Sequence, residues 1–326
     1  MPGNEISLEI EEKIWRKGYS NVAGIDEAGR GPLAGPVVAA AVIFEKGSFI
    51  KGVNDSKLLS PSKREKLFEE ITQKAMAYGI GLVDNREIDR TNIVSATHKA
   101  MRKALGQIRE RIDYILVDGN RFPDRIYPQT NIIGGDRKSF TIAAASILAK
   151  VYRDRLMKKY DKLFPEYGFG KHMGYGTKEH REAIKKHNPC PIHRRSFSGV
   201  KEYVEGIFKN NKSVGKYGEQ IAVKYLFDKD FEIVETNYRK GSFGEIDIIA
   251  KKDEALYFVE VKTQTGNYFP PELKVDDYKM KQIARIAEEY IFEKEIEGVD
   301  VKFSVISVLL KEKSEKIKFY EEAFTL

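Results

Sequence analysis

Residues 21–44 have the sequence NVAGIDEAGRGPLAGPVVAAAVIF, and two apolar segments in it predict neighbouring β-strands. Asn21–Ile25 and Val37–Phe44 consist largely of small and β-branched residues, and they flank a glycine-rich turn. The second segment is apolar at every position, which is typical of a strand buried on both faces. Such a strand needs helices on both sides of its sheet, so these residues predict an α/β domain.

Helical and strand-like segments alternate beyond this stretch. The pattern predicts helices over Ser60–Tyr78, Asn92–Glu110 and Ser139–Tyr160, and a short buried strand over Tyr114–Val117. The third helix contains Ala143-Ala144-Ala145, whose small side chains permit close packing on a sheet. We therefore expect a mixed sheet flanked by helices.

A second pattern begins after Lys209–Ser213, a polar stretch without apolar periodicity that is typical of a linker. We predict two domains, residues 1–208 and residues 209–326, the second a smaller α/β domain. Its predicted elements are a helix over Tyr217–Phe227, a strand over Phe231–Tyr238, a hairpin of Glu245–Ala250 and Leu256–Val261, a helix over Asp276–Lys294 and a strand over Val301–Leu310.

The composition favours a nucleic-acid partner without identifying one. The 326 residues carry a formal net charge of +7, which suits a polyanion. Cys190 is the single cysteine, as expected in a reducing compartment. The charged N-terminus lacks the apolar segment of a signal peptide, and the apolar run Pro36–Phe44 is too short to cross a bilayer. We expect a soluble, cytoplasmic monomer that does not bind membranes.

Four acidic residues occupy positions where strands end or a helix begins. Asp26 and Glu27 follow an apolar strand, Asp118 follows another, and Asp136 precedes the alanine-rich helix. Carboxyl ends of neighbouring strands meet at one edge of an α/β sheet. Clustered carboxylates repel one another unless a cation neutralises them, and Mg²⁺ and Mn²⁺ prefer oxygen ligands. Two such ions could together clamp a phosphodiester, although each acidic residue alone is also typical of a turn or a cap.

One geometric difficulty concerns Asp26 and Glu27. Neighbouring side chains on a regular strand point to opposite faces. The two carboxylates can share one site only if the chain leaves strand geometry there, and Gly29 and Gly31 make such a departure plausible.

The surrounding residues resemble the signature of the ribonuclease HII family from Asn21 to Phe197. The motifs that carry this resemblance are residues 24–36 (GIDEAGRGPLAGP), 54–58 (NDSKL), 117–119 (VDG), 135–136 (GD), 139–154 (SFTIAAASILAKVYRD), 172–180 (HMGYGTKEH) and 193–197 (HRRSF). The resemblance implies an RNase H-like fold and hydrolysis of RNA paired with DNA, including single ribonucleotides embedded in a duplex. It also implies cleavage on the 5′ side of the ribonucleotide, with Asp26, Glu27, Asp118 and Asp136 as catalytic metal ligands.

The same resemblance names residues that would bind the substrate. Gly29, Arg30 and Gly31 correspond to the segment whose main chain contacts the ribose 2′-hydroxyl, the group that separates RNA from DNA. Tyr175 corresponds to the tyrosine that packs on the neighbouring sugar, although a tyrosine between glycines is also an ordinary loop residue. The candidate phosphate contacts are Asn54, Ser56, Lys57, Arg137, Lys138, Ser139 and Thr177. Either of the two lysines in this set can equally be a solvated surface charge.

Four histidines lie near Cys190 in sequence, namely His172, His180, His187 and His193. Their spacing, with one cysteine, fits no common zinc finger. We expect structural or nucleic-acid-facing histidines here rather than a zinc site.

A second acidic cluster is predicted in the C-terminal domain. Glu260 and Lys262 share one face of a strand, and Asp247 lies on the preceding strand of the hairpin. An Asp followed by Glu-x-Lys resembles the restriction-endonuclease-like core, in which carboxylates bind a metal and the lysine helps to activate water. Together with Glu219 and the Asn237-Tyr238-Arg239 segment, it resembles the small YraN-like family. A surface-charged hairpin, or a nuclease-like fold that only holds DNA or a protein, is the alternative.

The sequence therefore favours an enzyme, a metal-dependent ribonuclease H of type 2 acting on RNA/DNA hybrids and on ribonucleotide-containing duplex DNA. A non-catalytic nucleic-acid-binding protein would favour lysine or arginine in place of the four carboxylates. A structure-specific DNA nuclease, resolvase or integrase of the same fold is disfavoured by Gly29-Arg30-Gly31 together with Tyr175.

Overall fold

The computed structural model describes residues 6–119, 122–124, 126–241, 244–266, 277–311 and 314–324. The chain divides into two compact units, Met1–Ile184 with Ile192–Lys201, and Lys185–Pro191 with Glu202–Leu326. The boundary between residues 208 and 209 stays a prediction, since residues 202–208 group with the second unit. Within the described residues, no helix is both long and apolar enough to cross a membrane.

Helices and strands alternate through the first part of the chain. In order they are α1 (Glu9–Trp15), β1 (Val22–Ala28), β2 (Val37–Ile43), α2 (Pro61–Lys74), β3 (Ala77–Val83), α3 (Asn85–Arg90), α4 (Ile93–Leu105), β4 (Tyr114–Asp118), β5 (Gln129–Ile132), α5 (Phe140–Leu163), α6 (Phe169–His172) and α7 (Lys178–His187). Their sheet has the order β3-β2-β1-β4-β5. β1 pairs in parallel with β4 and antiparallel with β2, so the predicted mixed sheet is confirmed.

β2 is buried on both faces, as its continuous apolar sequence predicts. Val38, Ala40 and Val42 pack against α5 on one face of the sheet. The alternate residues Val37 and Ala39 pack against α4 on the other face. The sheet is therefore covered on both sides, and its strand ends remain as the accessible edge where side chains can converge.

β1 and α5 approach each other closely because residue 24 is a glycine. A Cβ atom on Gly24 would lie 2.2 Å from the main-chain carbonyl carbon of Thr141, closer than atoms can pack. This contact fixes the start of α5 against the middle of β1. It thereby sets how far the residues before α5 lie from the end of β1.

Three predicted segments differ clearly from the structure, and one of them, the helix predicted over Asn92–Glu110, ends at Leu105. The helix predicted over Ser60–Tyr78 ends at Lys74, and β3 follows it from Ala77. β3 contains Gly79 and Gly81, where a Cβ would lie 2.1 Å and 2.0 Å from main-chain oxygens of α4. Glycines on that face are required by close packing, and they remove the apolar alternation that would predict a strand.

The predicted linker Lys209–Ser213 is also wrong in part. Asn210 accepts a hydrogen bond from the main-chain N–H of Ser213 and caps a helix that begins at Asn211. An asparagine at a helix N-cap satisfies an N–H group that has no partner within the helix. The polar composition of this stretch therefore marks a helix start rather than an extended linker.

The second unit continues with a second sheet flanked by helices. Its elements are α8 (Asn211–Phe227), β6 (Glu232–Arg239), β7 (Glu245–Lys252), β8 (Ala255–Thr265), α9 (Asp277–Glu293), β9 (Asp300–Lys311) and β10 (Ser314–Phe324). The sheet order is β10-β9-β8-β7-β6, with β8 and β9 parallel and the other pairs antiparallel. Asp276, the predicted first residue of α9, lies outside the described residues.

The core of this unit forms between the sheet and α9. Phe258 and Phe303 pack with their rings stacked at 5.9 Å, and Ile283 and Tyr290 of α9 cover them. The strands β7 and β8 are consequently fixed from one side. Their polar side chains, which include the predicted Asp and Glu-x-Lys residues, are placed at defined positions along the sheet.

Candidate active site

Asp26 and Glu27 occupy the carboxyl-terminal end of β1, next to the parallel strand β4. β1 continues through Ala28 and pairs with β2 at both acidic positions, so the chain keeps strand geometry there. The turn comes only at Gly29, which has φ 94°. The expected departure from strand geometry is therefore wrong, and it is not needed for the two carboxyl groups to lie near each other. Beyond the effect of burial, the charge of Glu27 raises the pKa of Asp26, and the charge of Asp118 raises the pKa of both.

Asp118 ends β4 and lies beside Asp26, because the parallel register aligns the residues just before them. Its Oδ1 accepts a 2.6 Å hydrogen bond from the main-chain N–H of Gly135. Gly135 begins the short 3₁₀ turn that contains Asp136. This hydrogen bond holds the turn with Asp136 against the end of β4.

The carboxyl groups influence one another electrostatically. Burial raises the pKa of Asp26 well above its ordinary value, and the charges of Glu27 and Asp118 raise it further. Burial also raises the pKa of Glu27, against the opposing effect of the Arg30 guanidinium. Burial and neighbouring carboxylates raise the pKa of Asp136. The cluster thus holds more negative charge than its surroundings stabilise.

Each carboxylate is held by a local hydrogen-bond donor. Asp26 accepts from the main-chain N–H of Glu27 at 2.7 Å, and Asp136 lies 3.4 Å from Nζ of Lys57. Across the described ranges, no three His, Cys, Asp or Glu side chains converge as a set of metal ligands. The donor chemistry still fits Mg²⁺ or Mn²⁺, because buried oxygens that raise one another's pKa are stabilised by a cation.

Lys57 is positioned beside Asp136 by a residue that sequence reasoning missed. Asp55 is fully buried, and it accepts hydrogen bonds from the main-chain N–H of Lys57 and from Nε of Arg137, both at 2.9 Å. Burial alone would lower the pKa of Lys57, but Asp136 and Asp55 raise it. The available signal was the position of Asp55 inside the quoted NDSKL motif.

The glycine loop, defined here as residues 29–35, lies beside Tyr175. A Cβ atom on Gly31 would be 3.8 Å from Cε1 of the Tyr175 ring, which is ordinary contact distance. Tyr175 is 47% exposed, and its carbonyl accepts a 2.9 Å hydrogen bond from Nδ1 of His180. Arg30 reaches back to Glu27 at 3.1 Å. The structure therefore brings the predicted ribose-contacting loop, the tyrosine and one end of the carboxylate cluster together.

The predicted phosphate contacts fall into an exposed and a buried group. The side chains of Lys57 and Arg137 are 74% and 64% exposed. Ser56 is buried, and its hydroxyl lies 2.9 Å from that of Ser146. Ser139 is also buried, where it caps α5 and donates a 2.6 Å hydrogen bond to Glu11.

Three further predicted contacts are engaged locally. Oδ1 of Asn54 accepts a 2.8 Å hydrogen bond from the next main-chain N–H, and Oγ1 of Thr177 accepts one of 3.3 Å from that of His180. Lys138 donates from Nζ to the carbonyl of Ile133 at 2.8 Å. Asn54 and Thr177 are half-buried, so their side chains lie at the edge of the site.

Three of the four histidines, His172, His180 and His193, form an aromatic cluster. Nε2 of His180 lies 3.0 Å from Nε2 of His193, and the rings of His172 and His180 stack at 4.4 Å. Burial lowers the pKa of His180 to about 4, so the ring is neutral at ordinary pH. Cys190 is buried as a free thiol. The cluster thus supports the loop that carries Tyr175, in agreement with the expected structural role.

The second acidic cluster is assembled from β7, β8 and α8. Asp247 and Glu260 are 8% and 4% exposed, and Oδ2 of Asp247 accepts a 2.7 Å hydrogen bond from the main-chain N–H of Val261. Burial and the charge of Glu260 raise the pKa of Asp247 to about 7. Burial also raises the pKa of Glu219, which Glu260 influences as well. The predicted residues of the second domain therefore share one electrostatic environment.

Two lysines neutralise Glu260. Its Oε1 accepts a 2.8 Å hydrogen bond from Nζ of Lys262, and its Oε2 lies 3.1 Å from Nζ of Lys279 in α9. Lys262 was predicted, whereas Lys279 lies in a separate helix and no local motif marks it. Glu260 therefore has a lysine beside each oxygen, but among the described residues only Oε1 accepts a hydrogen bond.

Two family models match the chain. The model described as Ribonuclease HII matches residues 23–200, which is more than half of the chain, and the Uncharacterised protein family UPF0102 matches residues 218–308. The second is the family expected above under the description YraN-like. The two matches do not overlap, and each contains one of the two acidic clusters.

Individual relatives resemble the N-terminal part. The chain is 57% identical over 199 residues to the ribonuclease HII of Caldanaerobacter subterraneus subsp. tengcongensis, covering 61% of this chain and 80% of the relative. It is 52% identical over 204 residues to that of Syntrophotalea carbinolica, covering 62% and 98%. Among solved structures, ribonuclease H2 from Pyrococcus horikoshii OT3 is 32% identical, covering 58% of this chain and 100% of that one with a TM-score of 0.49.

Proposed function

The chain belongs to the ribonuclease HII family and is a type 2 ribonuclease H, and we propose that it cuts on the 5′ side of ribonucleotides embedded in duplex DNA. It would also hydrolyse the RNA strand of RNA/DNA hybrids, leaving a 3′-hydroxyl and a 5′-phosphate. One observation carries this proposal: the mutually repelling carboxylates at the ends of β1 and β4 adjoin a glycine loop that lies beside Tyr175. Such an activity suits the removal of ribonucleotides during DNA repair and replication.

We assign Asp26, Glu27, Asp118 and Asp136 as ligands of two Mg²⁺ or Mn²⁺ ions. Bound ions would supply an activated water and stabilise the leaving oxygen. The raised pKa values of Asp26, Glu27 and Asp136 support this assignment, because a cation relieves the repulsion that causes part of these shifts. Lys57, which is held next to Asp136, would contact a substrate phosphate at this edge of the cluster.

Substrate selection is proposed to reside in the glycine loop and Tyr175. The main chain of Gly29, Arg30 and Gly31 would contact the 2′-hydroxyl, because no bulky side chain blocks the approach at either glycine. Tyr175, half of whose surface is exposed, would pack on the adjacent sugar. The phosphates would be contacted by Lys57, Asn54 and Thr177. The buried Ser56 and Ser139 would influence phosphate binding only through the residues next to them.

A purely binding function is less compatible with the site. A nucleic-acid surface gains affinity from lysine and arginine, and buried carboxylates beside phosphates weaken it by repulsion. Asp26 and Asp136 are 5% and 4% exposed and lie among further carboxylates. We propose that these carboxylates function by binding a cation.

A second activity is proposed for the second unit, where Glu219, Asp247, Glu260 and Lys262 would form a nuclease-like centre that acts on DNA. The specific observation in its favour is the burial of Asp247 and Glu260 beside Lys262. The alternative is a fold that only holds DNA. Glu260→Ala in the full chain, assayed on single-stranded, branched and flapped DNA, separates the two, since loss of cleavage is expected only of a catalytic centre.

Cleavage of a DNA duplex with one ribonucleotide tests the main proposal. Wild type is expected to cut this duplex with Mg²⁺ or Mn²⁺ and to leave an all-DNA duplex of the same sequence intact. Asp136→Asn is expected to lose the activity while remaining folded by circular dichroism. Unchanged activity in Asp136→Asn would refute the assignment of the carboxylates as metal ligands.

A further inference from the structure

Two buried arginines lie beneath the glycine loop. Arg153, in α5, is 1% exposed, and Arg194 is 0% exposed. Burial of an ionised side chain is unfavourable unless hydrogen bonds or opposite charges compensate it. Accordingly, burial lowers the pKa of Arg153 to about 10 and that of Arg194 to about 9. The partners that compensate these charges indicate what the arginines do.

The partners of Arg153 are main-chain carbonyls from two separate segments. Its guanidinium donates hydrogen bonds to the carbonyls of Pro36 (3.0 Å), Ala34 (3.0 Å) and Met173 (2.9 Å). The first two acceptors belong to the end of the glycine loop and the residue after it, and the third lies two residues before Tyr175. One side chain thus joins the two elements that are proposed to contact the ribonucleotide.

Arg194 binds both ends of the glycine loop. Its guanidinium donates to the carbonyls of Gly35 (3.1 Å), Arg30 (2.8 Å) and Gly29. The guanidinium also lies over the ring of Phe197, 5.0 Å from its centroid. Arg194 therefore contacts the first two residues of the loop and its last.

These hydrogen bonds fix the direction of the loop's N–H groups. In a trans peptide group, the carbonyl and the following N–H point in opposite directions. Because Arg194 binds the carbonyls of Gly29 and Arg30, the N–H groups of Arg30 and Gly31 point away from it. Both of those residues are exposed, whereas Gly29 is buried. The outward N–H groups are the donors available to a sugar hydroxyl.

The glycines of this region are needed to fit the arginines. At Gly29, which has φ 94°, a Cβ atom would lie 2.1 Å from Nε of Arg153. At Gly174, which has φ 82°, it would lie 2.6 Å from the carbonyl oxygen of Ala34. Gly174 in turn accepts a 2.8 Å hydrogen bond at its carbonyl from the N–H of Leu33. The loop, the guanidinium and the segment before Tyr175 therefore pack as one layer without space for side chains.

We propose that Arg153 and Arg194 are positioning residues that set the geometry of ribose recognition by holding the carbonyls of the glycine loop inward. This inference rests on the proposed function, since it assumes that the loop contacts the 2′-hydroxyl. The guanidinium groups orient the loop carbonyls because each presents several donors in a fixed plane. An ammonium group does not have this arrangement. Replacing either arginine by lysine keeps a long basic side chain and loses the fixed pattern of donors.

The test compares recognition of ribose with overall activity. For wild type, Arg153→Lys and Arg194→Lys, we would measure kcat and KM on a duplex with one ribonucleotide, and the inhibition constant of the all-DNA duplex. The ratio of that inhibition constant to KM is expected to fall about tenfold in both variants, less than the roughly hundredfold loss that a 1 Å displacement can cause. A purely structural role would lower the folded fraction and hence the apparent kcat, and would leave this ratio unchanged.

Arg155→Lys is the matched control. Arg155 lies two residues from Arg153 in α5 and pairs with Glu65 at 2.6 Å and Glu69 at 2.7 Å, away from the glycine loop. It is expected to keep the wild-type ratio. Gly29→Ala perturbs the contact from the side of the loop, and it is expected to lower the ratio with both arginines intact.

The outcomes separate the inference from the proposed function. A wild-type ratio near one would contradict ribose recognition, and with it the proposed function. A high wild-type ratio that persists in the folded arginine variants would overturn only the role of the arginines. If circular dichroism shows that neither arginine variant folds, Gly29→Ala decides, and an unchanged ratio there overturns the inference.

Discussion

The acidic clusters of the two units use the same kind of side chain but balance its charge differently. In the first, Asp26 is buried among carboxylates, and the nearby cation Lys57 has a 74% exposed side chain. In the second, two lysines lie within ion-pair distance of Glu260, Lys262 at 2.8 Å and Lys279 at 3.1 Å. An exposed lysine is screened by water and balances little charge, whereas lysines packed against a buried carboxylate balance much of it.

This difference implies different demands for an added cation. The first cluster keeps unbalanced negative charge, so a divalent ion should stabilise it and activity should depend on its carboxylates. In the second, a cation must compete with two lysines for Glu260. We therefore expect the first unit to carry the ribonuclease activity alone.

The largest effect is expected from the first cluster. Asp26→Asn should reduce cleavage of a ribonucleotide-containing duplex by about a thousandfold, because a ligand charge is lost where negative charge develops in the reaction. The rate is measured under single-turnover conditions with Mg²⁺ and with Mn²⁺. Asp124→Asn is the control, since Asp124 pairs with Arg102 at the surface at 2.7 Å. A loss of less than tenfold in Asp26→Asn would break the contrast between the clusters.

A smaller effect is expected at Tyr175. Tyr175→Ala should reduce kcat/KM on the same duplex by roughly 5- to 100-fold, the range of one aromatic stacking contact with a nucleotide. Tyr175→Phe should lose much less, because it keeps the ring. Tyr152→Ala, at another exposed tyrosine of the first unit, should match wild type. Equal effects of Tyr175→Ala and Tyr152→Ala would show that the ring next to the glycine loop has no part in recognition.

In the second unit, the clearest expected effect is on stability. The pKa of Asp247 is raised to about 7 in the folded protein, so the folded state favours the protonated carboxyl group. The contribution of Asp247 to folding stability is therefore fully present below pH 3.8 and is lost as the pH rises towards 7. Asp247→Asn removes the ionisation, so it should stabilise β7 and β8 by about 1–3 kcal/mol at pH 8. The gain should disappear near pH 4.

Pulse-labelling hydrogen exchange in urea measures this stability for peptides of β7 and β8 alone. Asp300→Asn, an exposed position at the start of β9, is the control and should change little at either pH. A gain in Asp247→Asn that is the same at pH 4 and pH 8 would mean that ionisation of Asp247 is not its cause.

The smallest effect is expected when the second cluster is removed. Glu260→Ala in the full chain should leave cleavage of the ribonucleotide-containing duplex within about twofold of wild type. Removing one interaction made in the transition state would instead reduce the rate by about a hundredfold or more. A chain ending at Lys209 is the more severe version and should also remain active. If either change abolishes cleavage, the two clusters do not act independently.

Much of the fold follows from local sequence because the decisive elements are strongly apolar. β2 is predictable from eight consecutive apolar residues, and α5 from its alanine-rich start. β3 was missed because its glycines serve packing against α4, and packing partners distant in sequence are invisible to local patterns. The start of α8 was missed because asparagine and other polar residues occur both at helix N-caps and in linkers. Local composition therefore does not separate the two.

The candidate sites show the same limit. The four carboxylates and Tyr175 are predicted site residues on the basis of their motifs, and the structure brings Asp118 beside Asp26 and Tyr175 beside Gly31. Asp55, Lys279 and Arg194 were not assigned roles, although they orient neighbouring groups. A residue that acts by holding a carbonyl or a lysine needs only to be buried within hydrogen-bond distance of that group. Its function is therefore visible only in three dimensions.

End mapping of a single cleavage reaction tests the central claim most directly. A DNA duplex with one ribonucleotide is incubated with the full chain, with Mg²⁺ or Mn²⁺ and with a chelator, and both product ends are identified. We predict one cut on the 5′ side of the ribonucleotide, a 3′-hydroxyl and a 5′-phosphate, and no cut with the chelator. Cleavage that persists in the chelator, or equal cleavage of the all-DNA duplex, would contradict a cation-dependent ribonucleotide site at Asp26, Glu27, Asp118 and Asp136.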